Sequence, residues 1–250
     1  MKAIFHKTYR PNEVEITKFV NQFDTMGKPF GKIGRNAIRL FDFEGKIINI
    51  KSFKIPNIFN QIAYGLFRKS KARRSFEYAN ILLDLGIGTP HPIAYFERSK
   101  MGLFKNSFYV SEHFECDLTY RELIHNTDYP DYENILRAFT RFTFKLHENG
   151  VNFLDHSPGN TLIKKTSNGY EFYLVDLNRM AFGAMDFNQR MKNFAKLTKF
   201  ESMVEIMSDE YAQLIDVPYA QVFDKMWYYN RRFWGKRERK ERVKALLLGR

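Results

Sequence analysis

Residues 152–163 read NFLDHSPGNTLI, and residues 173–180 read YLVDLNRM. In the first, Asp155 precedes Asn160 by five positions; in the second, Asp176 closes an apolar run. Between them, Thr161–Lys165 and Tyr170–Val175 carry the pattern of two strands, with Ser167-Asn168-Gly169 at the turn. Asn-Gly between two apolar runs is a strong hairpin signal. A hairpin returns its ends to one place. Asp155, Asn160 and Asp176 are therefore expected to converge across 21 positions of chain.

Three oxygen-bearing side chains at one hairpin mouth suit phosphoryl transfer. That reaction uses Mg2+ on the nucleotide phosphates and a carboxylate that orients the attacking hydroxyl. Asp176 and Asn160 fit as metal ligands, and Asp155 as the base. The same residues read as plain turn formers would mean little, since Asp, Asn and Ser-Pro-Gly are all common in turns. The apolar strand ending in Asp after the Asn-Gly hairpin favours the chemical reading.

The pattern D-x-x-x-x-N, hairpin, Asp resembles the catalytic and metal-binding loops of the protein-kinase-like superfamily. Phe153 and Leu154 stand where eukaryotic protein kinases carry His-Arg, and Asp176-Leu177-Asn178 replaces Asp-Phe-Gly. Both departures point towards small-molecule and lipopolysaccharide kinases. A second stretch, GIGTPHPIAYFER (residues 86–98), is similar to the lipopolysaccharide kinases that phosphorylate Kdo or heptose of the inner core. The resemblance runs from about Ile47 to Met180. It implies an α+β, bilobal kinase-like fold: a small strand-rich N-lobe over residues 1–111 and a mainly helical C-lobe over 112–250. It also implies ATP and Mg2+ as cofactors.

That resemblance gives further residues their expected roles. Lys46–Phe53 reads as a strand with Lys51 near its end, where a kinase carries the lysine that grips the α- and β-phosphates. Lys54 is the competitor; period-two alternation sends the two lysines to opposite faces. Residues 57–85 read as helix, with Phe76, Ala79 and Leu83 inward and Gly86 at its end. Glu77 matches the helix glutamate that pairs with the strand lysine; an acidic residue favoured by the helix dipole is the plainer reading. Ser107–Glu115 leads into a hinge, where backbone groups from Glu112 to Phe114 would hold adenine, and Glu115 and Asp117 could touch ribose. Gly27, Gly31 and Gly34 precede the strand Ala37–Phe43, and a glycine-bearing hairpin could cover phosphates; turn glycines explain them equally well.

The remaining chain reads as packing. Residues 13–24 place Ile16, Phe19, Val20 and Phe23 on one helical face. Tyr132–Asn149 is a helix ending before Gly150. His147 is expected to pack on it, and His156 to be structural. Phe187–Phe200, Ser202–Ile215 and Tyr219–Lys244 read as helices, the last ending in a basic stretch with Phe233 and Trp234.

Composition narrows the partners. Of 250 residues, 40 are Lys or Arg and 28 Asp or Glu, a net charge of +12 that favours anionic ligands. An anionic glycolipid or sugar acceptor and peripheral contact with the inner face of a membrane fit this balance. Glu238 and Glu241 within the basic stretch argue against nucleic acid. A single cysteine, Cys116, excludes an internal disulfide and suits a reducing compartment. With no apolar leader in MKAIFHKTYR, a cytoplasmic protein is expected. The readings to separate are a glycolipid kinase, a small-molecule kinase of aminoglycoside or choline type, and a catalytically silent kinase-fold binding module.

Overall fold

The computed structural model describes residues 1–31, 36–53, 69–100 and 103–247. By contacts the chain divides into two compact units, Met1–Glu115 with Asp176–Asn178, and Cys116–Val175 with Arg179–Arg250.

The first unit is built on a six-stranded antiparallel sheet. Its strands are β1 (Lys2–Phe5), β2 (Lys28–Phe30), β3 (Asn36–Phe43), β4 (Lys46–Phe53), β5 (Pro92–Lys100) and β6 (Leu103–Glu112). They lie in the order β1-β5-β6-β4-β3-β2. The β3–β4 hairpin turns on Glu44 and Gly45, with φ of 47° and 74°. Two left-handed residues are what a tight hairpin of this hand needs, and glycine supplies the second without strain.

Side chains alternate across the sheet, so each face receives its own helix. On one face Ile48, Ile50, Phe96 and Phe108 meet Ile16, Phe19 and Val20 of α1 (Glu13–Asn21). On the other, Phe53 and Tyr95 meet Ala72 and Phe76 of α2 (Lys71–Asp84). Lys51 has the parity of Phe53 and lies with it on the α2 face, its ammonium 5.5 Å from the Phe53 ring.

The helix expected over 57–85 is corrected at its start. Residues 54–68 lie outside the described residues. At Lys69–Ser70 the chain is not helical, and Ser70 caps α2 by accepting from the Arg73 N–H at 3.0 Å. Phe76 and Ala79 are buried as expected, but Leu82 rather than Leu83 completes the face. Gly86, at φ 64°, ends the helix as expected.

The second unit is mainly helical. The long helix α4 (Tyr132–Glu148) follows the short α3 (Tyr120–His125). Its Ile135, Leu136, Phe139 and Leu146 are fully buried against α5 (Phe187–Asn193), α6 (Glu201–Ile215), α7 (Tyr219–Leu247) and a hairpin. The hairpin is β9 (Thr161–Thr166) and β10 (Gly169–Leu174), with β7 (Leu118–Thr119) beside β9. A two-stranded sheet joins β8 (Val151–Phe153) to β11 (Met180–Phe182).

The helix expected over Phe187–Phe200 breaks. It ends at Asn193, and Phe194–Lys196 forms a single 3-10 turn. Asn193 commits its amide to long-range bonds across the unit, and Thr198 Oγ1 accepts the Phe200 N–H locally, so these side-chain bonds accompany the break in the helix.

Candidate active site

In the second unit, β8 delivers the chain to Asp155. The Leu154 N–H donates to the Arg179 carbonyl at 3.1 Å, extending the β8–β11 pairing by one residue. Pro158–Asn160 then makes a 3-10 turn closed by Asn160 N–H to the Ser157 carbonyl at 2.9 Å. Asn160 is the clasp of this loop. Its Nδ2 donates to the Asp155 carbonyl at 2.8 Å, and its own carbonyl accepts from the Val175 N–H at 3.0 Å. One side chain therefore fixes the residue five positions back, and one backbone carbonyl fixes the end of the hairpin return.

The Asp155 carboxylate has two cations near it. Lys196 Nζ is 3.4 Å from Oδ1 and donates to the Leu154 carbonyl at 2.6 Å; Arg179 Nη1 is 3.8 Å from Oδ2. Lys196 was not marked by the sequence. It sits on the 3-10 turn that interrupts the expected helix, 41 positions from Asp155, and one lysine among 40 basic residues carries no signal.

Beneath the loop lies a neutral polar network. His156 is buried between the rings of Phe139 and Phe153. The Asn193 Oδ1 faces His156 Nδ1 at 2.9 Å and His147 Nε2 at 3.3 Å, while Asn193 Nδ2 donates to the Phe153 carbonyl and the Asn152 Oδ1. An amide oxygen only accepts, so both imidazole nitrogens that face it carry the proton. His147 Nδ1 is then the acceptor for the Tyr211 hydroxyl at 2.7 Å. Burial pushes both histidines down, His147 to about 3 and His156 to about 4. Both are neutral framework, as the sequence suggested.

In the first unit, the Lys51 Nζ lies 2.8 Å from Asp176 Oδ1. Asn178 Nδ2 donates to the same oxygen at 2.7 Å. Asp176 has a left-handed backbone, φ 59°. Asp tolerates that conformation better than most residues, and such strain clusters where a side chain must be aimed.

Glu77 does not pair with Lys51, and that expectation is corrected. Its carboxylate takes Lys69 Nζ and Arg73 Nε, both at 2.8 Å. Arg73 is one turn earlier on α2, and Lys69 lies just before the helix cap, so local partners satisfy the glutamate first. Burial pushes the Glu77 carboxyl up, but the bonds from Lys69 and Arg73 outweigh it and leave the pKa below the ordinary value.

Glu112 closes β6. Its carboxylate accepts from the Tyr9 hydroxyl and from Lys46 Nζ at 3.0 Å. The Glu112 N–H donates to the His91 carbonyl and the His113 N–H to the Ile47 carbonyl, so both amides are used by the sheet. Phe114 follows in a segment that is neither helix nor strand. Asp117 is tied to the hairpin of the second unit through the Lys165 N–H at 2.7 Å. Lys54 and Gly34 lie outside the described residues.

The donors fit a hard divalent cation. Both bonds to Asp176 end on Oδ1, and among the described residues Oδ2 has no partner. Asn160 spends its amide nitrogen on the Asp155 carbonyl, and among the described residues its amide oxygen has no hydrogen-bond partner. Carboxylate and amide oxygens are each hard donors of the kind magnesium takes.

The lipopolysaccharide kinase (Kdo/WaaP) family profile matches residues 57–218. The chain belongs to this family. Among solved structures, one titled "WaaP in complex with acyl carrier protein" superposes with a TM-score of 0.62 at 16% identity, over 96% of this chain and 99% of that one. At that identity the likeness speaks for the fold, which is the α+β kinase-like fold expected from the sequence. A search of curated proteins found no match. Among the described residues no helix is long and apolar enough to cross a membrane.

Proposed function

We propose that this member of the lipopolysaccharide kinase family transfers the γ-phosphoryl group of ATP to a sugar hydroxyl, on Kdo or heptose of an inner-core glycolipid. The observation that carries the reading is the bond from Lys51, the lysine near the end of a central strand, to Asp176. In a kinase of this fold such a pair would join the phosphate-binding lysine to the metal-binding carboxylate, which supports the reading.

Lys51 would move from Asp176 to the nucleotide phosphates when they arrive, and Asp176 and Asn160 would hold Mg2+. The ion would neutralise phosphate charge. Asp155 would accept the acceptor's hydroxyl proton as the oxygen bonds to the γ-phosphorus. The bridging P–O bond breaks, and ADP leaves with its electron pair. Lys196 and Arg179 would flank Asp155, their cations 3.4 and 3.8 Å from its oxygens. Glu112 and Phe114 would border the adenine. Glu77 would have to give up local partners to support Lys51, so its role is conditional on nucleotide binding.

For location, we propose the cytoplasm, with the distal part of α7 against anionic lipid. Residues 235–247 of that helix are largely exposed, rich in Arg and Lys, and carry Val243, Leu246 and Leu247 on the surface.

The deciding experiment incubates the protein with Mg-ATP and purified Kdo-lipid A and weighs the product by mass spectrometry. Addition of one phosphate is expected. Transfer to a free aminoglycoside or choline instead would assign the small-molecule class. No transfer, and no ATP-induced thermal stabilisation, would leave a silent binding module.

A further inference from the structure

A cavity of about 640 Å³ opens in the second unit with Asp155 on its wall. Four cationic side chains, Arg121, Lys196, Lys199 and Arg237, line it with that one carboxylate. We propose that this cavity seats the acceptor as a sugar bearing a phosphate or carboxylate. Trp234 receives the ring, and Arg121, Lys199 and Arg237 receive the negative group. The proposal rests on the kinase reading for what happens next, but the binding it describes stands apart from catalysis.

The aromatic wall is preorganised. Trp234 Nε1 donates to the Thr198 carbonyl at 2.6 Å, and Asn230 Nδ2 donates to the same oxygen at 2.7 Å. Phe233 meets the indole edge-on, with centroids 5.4 Å apart. The indole is thus fixed in plane while remaining only half-buried. A rigid, partly exposed aromatic with its N–H already satisfied presents an apolar face and little else, which suits the C–H face of a sugar ring.

Three of the cations keep donors for a ligand, although Lys199 lies 5.5 Å from the Phe200 ring centre. Arg121 and Lys199 have no acidic partner among the described residues. Arg237 gives Nε to Glu241 at 3.1 Å, and its guanidinium carbon lies 5.2 Å from the Trp234 ring centre. Its other donors remain, and charge and aromatic surface are presented together. Arg121 is also seated by the catalytic turn. A Cβ on Gly159 would come within 2.5 Å of Arg121 Nη2. The glycine of the PGN turn is there for space, since its φ is not left-handed, and the space is filled by this guanidinium. Arg121 therefore touches the turn that ends in Asn160. Lys196 is different; it serves the Asp155 loop, as described above.

The family profile ends at residue 218. Trp234 and Arg237 lie beyond it, on α7. If they select the acceptor, this chain sets its specificity outside the segment shared with the family.

Trp227 and Trp234 are the two tryptophans, so a Trp227→Phe background leaves Trp234 as the sole indole reporter. Its fluorescence is titrated without ATP, using free Kdo, a hexose phosphate, Kdo-lipid A in detergent, a neutral hexose and inorganic phosphate. Saturable change with the anionic sugars is expected, with the neutral hexose and inorganic phosphate at least tenfold weaker. Lys199→Gln with Arg237→Gln, both exposed positions, should raise the Kd at least tenfold, and added salt should do the same. Arg121→Gln should act in the same direction. Change with the glycolipid but not free Kdo would place the ligand as lipid-linked, and the reverse as soluble.

Equal binding of neutral hexose, equal binding of inorganic phosphate, or no effect of the charge variants would each overturn the proposal. Phosphate transfer to Kdo-lipid A without any Trp234 response would remove the subsite and keep the kinase reading. A Trp234 response without transfer would do the opposite.

Discussion

The two units hold the carboxylates of Asp176 and Asp155 by different means. In the first, Asp176 is held by charge: Lys51 lies 2.8 Å away, and the backbone is strained to φ 59°. In the second, the Asp155 loop is held mainly by neutral bonds, from Asn160, Asn193 and the uncharged His156, with one charged bond from Lys196 to the Leu154 carbonyl, and the carboxylate itself has its cations at 3.4 and 3.8 Å. A close ion pair fixes a carboxylate for binding and can be exchanged for another charge. A mainly neutral scaffold fixes backbone and leaves the carboxylate without a close ion pair. The difference suits the division proposed above, Asp176 for nucleotide and Asp155 for the acceptor.

The largest effects should come from removing either charge. Asp155→Asn and Asp176→Asn are each expected to lower turnover by about 10²–10⁴-fold, the range for a lost acid–base or metal-positioning group. Circular dichroism should show both folded. The comparison adds a split: Asp155→Asn should keep Mg-ATP-induced thermal stabilisation, and Asp176→Asn should lose it. Near-wild-type turnover in either variant would break the assignment for that residue.

Acid should separate the two scaffolds next. His147 and His156 are neutral in the fold, with pKa values of about 3 and about 4 against an ordinary 6.5. Unfolded, they bind protons below pH 6.5, so the unfolded state is favoured as pH falls. Their contribution is fully present above pH 6.5 and declines through pH 4. For His156 the loss is on the order of 3 kcal/mol at pH 4. Urea unfolding at pH 7.5, 6 and 5 should show stability falling, and His156→Leu should flatten that slope. A slope unchanged by the substitution would mean the histidine is not the titrating group.

Much of this was legible beforehand, for identifiable reasons. The Asn-Gly turn and alternating strands gave the hairpin within a residue, pairing Leu174 with Thr161. The strong period of Ile135, Phe139 and Leu146 gave α4. Lys51 could be placed because it ends an apolar strand. Its partner could not. Whether Glu77 reaches across to Lys51 or back along its own helix depends on rotamers and on Lys69, neither of which periodicity encodes. Lys196 was hidden for a related reason. The 3-10 turn that carries it accompanies bonds from Asn193 to groups some 40 positions away, and the local pattern still looks helical. The first strand, β1, was missed because four residues leave too little pattern.

Two glycines sharpen how the Asp155 loop is built. Gly150 precedes β8 at φ 66°, and a Cβ there would lie 2.9 Å from the Gly183 carbonyl oxygen. Backbone on both sides cannot yield, so Gly150→Ala should cost about 2 kcal/mol in urea unfolding. Gly159→Ala meets only the tip of Arg121, which can swing away, so its cost should stay below about 0.5 kcal/mol. Equal costs would show that the PGN turn, and not just the guanidinium on it, depends on glycine.

The smallest effect tests the ion pairs of the first unit against each other. Glu77 bonds to Lys69 and Arg73, and Lys51 bonds to Asp176, with no bond shared between the two sets. Partly exposed pairs of this kind contribute up to about 1 kcal/mol. Glu77→Gln and Lys51→Ala should therefore each shift unfolding of the nucleotide-free protein modestly, and the double variant should equal the sum within about 0.5 kcal/mol. A larger coupling would mean that Glu77 and Lys51 already meet before nucleotide binds. The same cycle repeated with saturating Mg-ATP asks whether phosphate draws Lys51 off Asp176 and towards Glu77. Coupling that appears only then would make the charge-held carboxylate the exchangeable one, while the neutral scaffold around Asp155 stays unchanged.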